Sequence, residues 1–513
     1  MLHKEIHKNR FWKYLTIVIP MVVISFLSCG MSLNYLMLNP DHWLLFDDSY
    51  ITLKFASNFL KYKAITYDGS TYLTGATSPL HIILIALLGL FLRMEVASLT
   101  VGVVFFIFSS VLVYLWTLRI YEDRRVAWLA GVLVSTSGWL VFDSLNGLET
   151  TTFICLSLLT FYLFYVYEQR AFYIFPLLLS IVTRPEGWFI AGALWMGQVI
   201  KYIIWRDKQV MRNLFISLSI FVLFITPNFL LYFYYTGSLL PSTAFSKSTF
   251  FAEFQAHSPR IWMFKHGVEF FYKELLYPLP LIVFPLILFA RKVIRLLYLW
   301  FYYVIFYLCY FLLFPGATLH YWCRYQHIFI PLITIAVSGG ALELFKMCKK
   351  KTLKIAISVL IVMSLVYNQS VSFMIAKNTY LRAVSCTKQS MLDLALWLKR
   401  TTPEDSLIAL HDIGVVGYFS NRSILDLVGL TNPEVSKYYW DSRSKRLFSI
   451  DERKVMDYLK EKKPDYLVIL PEWDKYFNFF QADNEKYLKH VYTSGLLFPS
   501  GMRYKVFRCD WTL

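Results

Sequence analysis

Charged residues are scarce in this 513-residue sequence, and several motifs typical of soluble enzymes are absent from it. Only 17% of the residues are charged, whereas 57% are hydrophobic and 19% are aromatic. The sequence has no P-loop Gly-Lys pattern, no cysteines paired at metal-binding spacing and no low-complexity segment. A soluble enzyme is therefore excluded, because repeated apolar runs of about 20 residues indicate a polytopic α-helical membrane protein.

Basic residues outnumber acidic residues by 51 to 34, which gives a net charge of +17. A basic chain of this kind is compatible with nucleic-acid binding. However, the lysines and arginines stand in short clusters between apolar runs, which is typical of cytoplasmic loops that orient a membrane protein. We therefore expect the lipid bilayer, and no nucleic acid, as a partner.

The apolar runs predict about 11 transmembrane helices and one short apolar segment that does not cross. That segment, 79–92, has a length that suits a re-entrant or interfacial position. The first run is long enough to span and lacks a cleavage site, so it is interpreted as a retained helix. If the N-terminus is cytoplasmic and segment 79–92 does not cross, the basic clusters lie inside, as the positive-inside rule requires. The predicted spans are 14–36, 98–118, 126–142, 150–167, 171–183, 187–204, 213–235, 275–290, 296–314, 325–345 and 355–375.

This topology predicts two domains and places the first loop of one and the whole of the other on the non-cytoplasmic face. The first is a transmembrane module, 1–376, with an outward first loop at 37–97. The second, 377–513, alternates amphipathic helices with short apolar strands and is expected to be a soluble α/β domain. Cys386 and Cys509 both fall in this outward, oxidising compartment, so a disulfide between them is an open alternative.

Two adjacent acids, Asp47 and Asp48, follow the first span. Their simplest interpretation is a pair of solvated loop carboxylates. Adjacent like charges raise each other's pKa, however, and a pair kept beside an apolar helix indicates a chemical use for at least one of them. Asp48 or Ser49 is also placed to cap a helix that starts at Tyr50. A divalent cation held by the two carboxylates is a further alternative.

Other polar residues gather in the loops of the same face, and each has a structural alternative. Glu149 is placed to cap the helix that begins near Thr150, and Arg184 and Glu186 flank Pro185 and would also form a salt bridge across that loop. The aromatic residues near 320 are compatible with an interfacial belt. Together the loops present cations and hydroxyls suited to a phosphate, and carboxylates and rings suited to a sugar. The cations are Arg184, Lys247, His320, Arg324 and His327, and the hydroxyls include Ser242 and Thr243.

The stretch "FDDSYITLKFASNFLKYKAITYDGSTYLTGATSPLHIILIALLGL" resembles the opening signature of a family of GT-C-type glycosyltransferases. This family includes the mycobacterial terminal β-1,2-arabinofuranosyltransferases and their bacterial relatives. The later stretches "NGLETTTF", "TRPEGW", "YTGSLLPSTAFSK" and "ILDLVGLTNPEV" are similar to motifs of the same family, in the same order. One departure is that the family's Leu-Pro-Asn-Thr stands here as Leu240-Pro241-Ser242-Thr243.

The resemblance implies an inverting glycosyltransferase of the bacterial inner membrane. Such an enzyme takes a sugar from a polyprenyl-phosphate donor and passes it to a hydroxyl of an envelope glycan or glycolipid on the outer face. Asp47, with Asp48 beside it, matches the family's general base. No cofactor is required, with a divalent cation as the alternative. The cations named above become candidate ligands of the donor phosphate, and the candidates for the rest of the substrate are Glu149, Glu186, Thr77, Ser78, Ser242, Thr243 and Tyr321.

Two other classes of function compete with this interpretation. A transporter or flippase of a lipid-linked saccharide would bind the same ligand, but its ionisable residues should lie near the middle of the spans. The middles of the predicted spans are nearly free of charge. A structural scaffold would not explain why so many polar loops share one face.

Overall fold

The fold is a bundle of apolar helices followed by a mixed β-sheet. Five helices among the described residues are long and apolar enough to cross a membrane, or six if one bent pair counts as a single span. The total of 11 spans stays a prediction, and span 275–290 lies outside the described residues. The computed structural model describes residues 19–30, 45–73, 75–167, 170–236, 260–271, 296–313, 318–432, 434–435, 452–477, 479–480, 482–497 and 501–512.

The helices follow the predicted order of apolar runs. Several of them begin and end within a few residues of the predicted limits. Most are apolar on all sides, as expected of helices that face both lipid and neighbouring helices. In chain order they are α1 (Ile19–Gly30), α2 (Asp47–Tyr62), α3 (Pro79–Gly89), α4 (Met94–Tyr121), α5 (Arg124–Ser135), α6 (Gly138–Leu145), α7 (Thr150–Val166), α8 (Ile174–Ile181), α9 (Gly187–Trp205), α10 (Lys208–Thr236), α11 (Arg260–Phe270), α12 (Leu297–Leu313), α13 (Phe329–Met347) and α14 (Lys351–Cys386).

The predicted span 126–142 is broken in the structure, and its prediction as one helix is wrong. Helices α5 and α6 meet at 50°. A Cβ atom on Gly138 would lie 2.3 Å from the Cα atom of Phe373 in α14, so only glycine lets α6 pack directly on α14. Because α6 turns inward, it carries Asp143 and Asn146 into the protein interior, where both are buried.

Helix α3 is the short apolar segment that the sequence predicts not to cross. Its 11 residues rise about 16 Å, which is about half the apolar thickness of a bilayer. Near its start, Nε2 of the buried His81 lies 3.3 Å from the carbonyl oxygen of Gly147. Past its far end, Phe91 is 85% exposed. The helix is therefore anchored in the protein at one end and presents apolar side chains at the other.

Helix α14 leads without interruption into the C-terminal region. It continues through a π-helical turn (Thr387–Leu392) into α15 (Asp393–Thr401), which makes one helix of 51 residues. The strands that follow form one sheet in the order β2-β1-β3-β5-β4. Strands β1, β2 and β3 are parallel, whereas β5 is antiparallel to both β3 and β4. The elements are β1 (Leu407–Leu410), α16 (Gly414–Phe419), β2 (Ser423–Asp426), α17 (Glu452–Lys462), β3 (Tyr466–Ile469), β4 (Leu488–Leu497) and β5 (Met502–Cys509).

This region alternates helices with short strands, as expected from the sequence. Its independence as a soluble domain and its side of the membrane stay predictions. No disulfide joins Cys386 and Cys509. Cys386 ends α14, whereas Cys509 pairs with Leu488 in the hairpin of β4 and β5, so the alternative of a disulfide is not realised.

Candidate functional site

Helix α2 of the first loop begins at Asp47, earlier than predicted. Its N-cap is Phe46, which makes no side-chain capping bond. The prediction of Asp48 or Ser49 as the cap is wrong, because both already lie within the first helical turn. There the partial positive charge of the helix start stabilises nearby carboxylates. Ser49 instead donates its hydroxyl hydrogen bond to the carbonyl oxygen of Asn146 at 2.5 Å.

Asp47 lies between the membrane helices and the C-terminal region. Its Oδ1 accepts a hydrogen bond from the backbone N–H of Val415 at 2.7 Å, and its Oδ2 accepts one from Gly414 at 3.3 Å. The side chain is buried, with 8% of the residue exposed. Burial raises the pKa of the Asp47 carboxyl well above its usual range, and the negative charges of Asp412 and Asp48 raise it further.

Asp48 differs from its neighbour because its carboxylate is partly open. Its side chain is 30% exposed, and its Oδ2 lies 3.9 Å from Nη2 of Arg324. Of the two adjacent acids, Asp48 is therefore the one that a ligand can reach without breaking a hydrogen bond to the backbone.

Arg324 is buried with only part of its hydrogen-bonding capacity used. Its side chain is 4% exposed, and its guanidinium carbon lies 5.2 Å from the ring centres of both Tyr321 and Tyr325. None of the residues that the structure describes supplies a hydrogen-bond acceptor to its Nε or Nη1 atom. Leaving buried, charged donors without acceptors is costly, so this geometry favours a ligand that supplies anionic oxygens.

The segment just before Arg324 has an unusual backbone. Tyr321, Trp322 and Cys323 have φ angles of 44°, 53° and 63°. For residues with a side chain, this left-handed region costs roughly 1–3 kcal/mol each, and such strain clusters at functional sites. Nε2 of His327 lies 2.9 Å from the carbonyl oxygen of Trp322 and stabilises this turn.

His327 is fixed on both sides, in a way that does not support its predicted role as a phosphate ligand. Its Nδ1 lies 2.6 Å from Oδ2 of Asp143, and both side chains are fully buried. Because both ring nitrogens face oxygen acceptors, a ring that donates from both nitrogens satisfies this site. His327 therefore holds the turn before Arg324 in place.

Arg184 is held by two carboxylates, which confirms the salt-bridge interpretation. Its Nη2 lies 2.6 Å from Glu186 and its Nη1 lies 3.0 Å from Glu149. Although burial opposes ionisation of Glu149, the charges of Arg184 and then Arg324 lower its pKa to about 2. Arg184 would have to leave both partners to bind a donor phosphate. Tyr310 completes the cluster by donating its hydroxyl hydrogen bond to Glu186 at 2.7 Å.

The other predicted residues lie around this cluster or outside the described residues. The His320 ring packs 4.7 Å from the ring of Tyr321, beside Arg324. Thr77 donates its N–H to Gly75 at 3.0 Å, and the buried Ser78 precedes α3. The predicted residues that lie outside the description are Lys247, Ser242 and Thr243.

Several side chains that connect these loops were not predicted from the sequence. His81 stands within the apolar segment 79–92 and Asp143 directly follows the predicted span 126–142, and no local pattern shows which distant residues they contact. Asp412 follows strand β1 and accepts a hydrogen bond from the hydroxyl group of Tyr504 in β5. The stretch "HDIGVVGYF" was the available signal, because an acid and two glycines after a buried strand are typical of a tight functional loop.

A metal ion was the alternative use predicted for Asp47 and Asp48. Among the residues that the structure describes, no group of three or more His, Cys, Asp or Glu side chains is arranged to hold one. The backbone N–H groups of α16 already occupy both carboxylate oxygens of Asp47. A divalent cation at this pair stays a prediction that the contacts of Asp47 do not favour.

Comparison with known proteins identifies the fold. Residues 379–507 match a family described as a domain of unknown function, DUF8728. Comparison with curated protein sequences finds no match. Among solved structures, the oligosaccharyltransferase of Archaeoglobus fulgidus, tethered to an acceptor peptide, aligns with a TM-score of 0.54 and 13% identity, over 96% of this chain and 74% of its own.

ArnT from Cupriavidus metallidurans is also similar. In the apo state it aligns with a TM-score of 0.52 and 12% identity, over 98% of this chain and 99% of its own. Bound to undecaprenyl phosphate it aligns with a TM-score of 0.53 and 11% identity, over 96% and 98%. The chain therefore has the GT-C fold of these membrane proteins, and the expected fold class is confirmed at that level.

Proposed function

We propose that this protein is a glycosyltransferase that moves a sugar from a polyprenyl-phosphate donor to a hydroxyl group of an envelope glycan or glycolipid. The observation that carries the proposal is the pairing of Asp48 with Arg324. A partly exposed carboxylate lies 3.9 Å from a buried guanidinium that has two nitrogens without acceptors among the described residues. A proton acceptor therefore stands beside a site for an anion, which is what this reaction requires.

The reaction needs one base and one stabilised leaving group. The acceptor hydroxyl loses its proton to the carboxylate as its oxygen forms a bond to the anomeric carbon. The bond between that carbon and the phosphate oxygen breaks, and its electron pair leaves with the phosphate. A single displacement of this kind inverts the anomeric centre. Arg324 offsets the negative charge that develops on the phosphate.

The contacts favour Asp48 as the proposed base over Asp47, which the resemblance implies. Asp47 already uses both carboxylate oxygens to bind backbone N–H groups, whereas Asp48 has open surface. In this proposal, Asp47 orients the start of α2 and thereby its neighbour. The adjacent acids then have different functions, one in binding the backbone and one in chemistry.

The fold comparison supports the class of donor. One ArnT structure contains undecaprenyl phosphate, a polyprenyl phosphate, and the oligosaccharyltransferase structure carries an acceptor peptide. In our proposal, the exposed apolar end of α3 lies in the bilayer close to the donor lipid. The positive-inside distribution of charge supports placing the site and the C-terminal sheet on the outer face of the bacterial inner membrane.

Reconstituted protein tests the proposal directly. Proteoliposomes would receive a panel of polyprenyl-phosphate sugars and an envelope glycan fraction, and sugar transfer would be followed by mass spectrometry. We expect transfer by the wild type and a decrease of at least 100-fold in Asp48→Asn. Asp405→Asn, at an exposed turn, is the matched control.

The same assay separates the alternatives. If Asp48→Asn transfers normally and Asp47→Asn does not, the base is Asp47. If neither change lowers the rate, the proposed site is wrong. Movement of the intact donor across the bilayer without transfer of its sugar would support the flippase alternative.

A further inference from the structure

The loop between strand β1 and helix α16 touches the proposed catalytic pair directly. The N–H groups of Gly414 and Val415 both donate to the Asp47 carboxylate. On the other side of the interface, Tyr67 of the first loop donates its hydroxyl hydrogen bond to the carbonyl oxygen of Ile413 at 2.6 Å. Lys54 of α2 donates to the carbonyl oxygen of Gly417 at 3.1 Å. The two segments are thus joined by four hydrogen bonds, two donated by each segment.

Two glycines allow this close contact, because a side chain at either position would clash with the first loop. A Cβ atom on Gly414 would lie 1.9 Å from the carbonyl oxygen of Asp47, and one on Gly417 would lie 2.0 Å from the hydroxyl oxygen of Tyr67. Both distances are far below van der Waals contact. The backbone of α16 therefore approaches the first loop as closely as residues without side chains allow.

A second acid ties the same loop to the sheet. Asp412 accepts a hydrogen bond from the hydroxyl group of Tyr504, and its Oδ2 lies 3.2 Å from Nε2 of the buried His411. The ring of Trp473 stacks on His411 at 4.4 Å. The Asp412 side chain itself remains 29% exposed. The position of the loop thus depends on the C-terminal sheet, while one of its carboxylates stays open to solvent beside Asp47.

We propose that residues 412–415 are a positioning element of the catalytic carboxylate pair, so that the C-terminal region completes the active centre. This proposal rests on the proposed function. It assigns a task to a region that matches only a domain of unknown function. The sheet holds Asp412, the loop presents two N–H groups, and these groups fix Asp47 and thereby the first turn of α2, which carries Asp48.

Kinetics of four variants test this proposal. Gly414→Ala should lower kcat at least tenfold, because its Cβ atom displaces the start of α2. Asp412→Asn and Tyr504→Phe should each lower kcat three- to tenfold, and Asp412→Glu should recover part of the loss. KM for the donor should change less than threefold in all of them, since Arg324 is untouched. A loss of general stability would not separate kcat from KM in this way.

The controls match these changes in chemistry. Gly192→Ala adds the same methyl group at a glycine where the new Cβ atom would meet its nearest neighbouring atom at 3.8 Å. Asp405→Asn neutralises an exposed acid of the C-terminal region. Both should keep wild-type kcat. If Gly414→Ala does not fold, the milder Asp412 and Tyr504 variants decide. Wild-type kcat in these variants, with Asp48→Asn inactive, would overturn the proposal.

Hydrogen exchange provides a readout that does not need turnover. In the purified full chain, Asp47→Ala should accelerate exchange of the Gly414 and Val415 amides at least tenfold. Asp68→Ala, which removes bonds only within its own loop, should not do so. If the wild type transfers no sugar but this exchange result holds, the proposed function fails while the contact stands. Unchanged exchange in Asp47→Ala would reject the positioning element itself.

Discussion

Nδ1 of His327 lies 2.6 Å from Oδ2 of Asp143, and the two residues are 184 positions apart in the chain. Asp143 is on the inward-turned helix α6, and His327 stands just before α13. Because His327 also contacts the carbonyl oxygen of Trp322, this pair connects the broken helix to the left-handed turn. The position of the segment that carries Arg324 therefore depends on this buried pair.

Removing one member of this pair should destabilise the protein strongly. His327→Ala leaves the Asp143 carboxylate buried without its partner, and loss of one member of a buried pair costs about 3–5 kcal/mol. Thermal unfolding in detergent would measure the change. His490→Ala, at an exposed strand position, should cost less than about 0.5 kcal/mol. Similar small effects at both positions would contradict the assigned role.

The stability of the folded protein should depend on pH through Glu149. Its pKa of about 2 lies below the value of about 4.3 for an unfolded glutamate, so folding favours the ionised form. This contribution is fully present above pH 4.3 and is lost as the pH falls through 2. The wild type should therefore lose thermal stability as the pH falls from about 5 to about 2, and Glu149→Gln should show a weaker dependence. Glu404→Gln, an exposed change, should retain the wild-type profile.

Arg324→Lys should weaken binding of the donor phosphate at least tenfold. Lysine keeps the charge but lacks the planar set of donors, including the two that find no partner within the described part of the chain. Binding of undecaprenyl phosphate to protein in nanodiscs would measure the effect. Arg93→Lys, whose side chain is 57% exposed, is the control. Equal affinity in the two variants would remove Arg324 from the phosphate site.

Lys63→Gly should stabilise the first loop. Lys63 ends helix α2 with φ of 57° and its side chain is exposed. Glycine adopts this conformation without the penalty of about 1 kcal/mol, and part of that gain is offset by its greater freedom when unfolded. We expect a net gain of roughly 0.5 kcal/mol in the free energy of unfolding. Lys61→Gly, inside the helix, should instead cost about 1 kcal/mol.

The sequence was sufficient to place most helices, because long apolar runs are a strong and local signal. It also identified 79–92 as too short to cross, and helix α3 has 11 residues. The break between α5 and α6 was missed, since both helices are apolar and the close packing of Gly138 on Phe373 is a contact between distant parts of the chain. Contacts between elements far apart in the chain leave no periodic pattern.

The candidate site shows the same limit. The polar loops of the sequence brought Asp48, Arg184 and Arg324 to attention, but they did not separate binding from structural roles. Arg184 proved to be paired with two glutamates, and His327 contacts the buried Asp143. Which cation is left with open donors depends on three-dimensional pairing, and composition at a position does not reveal it.

The unbroken helix from α14 to α15 sets a geometric relation between the lipid and the sheet. Its 51 residues extend about 75 Å, and each residue inserted or removed would move the sheet by about 1.5 Å and turn it by about 100°. The helix thus sets the height and the angle at which loop 412–415 meets Asp47. The length of this helix is therefore constrained more strongly than the loops around it, because inserting or removing residues would displace loop 412–415 from Asp47.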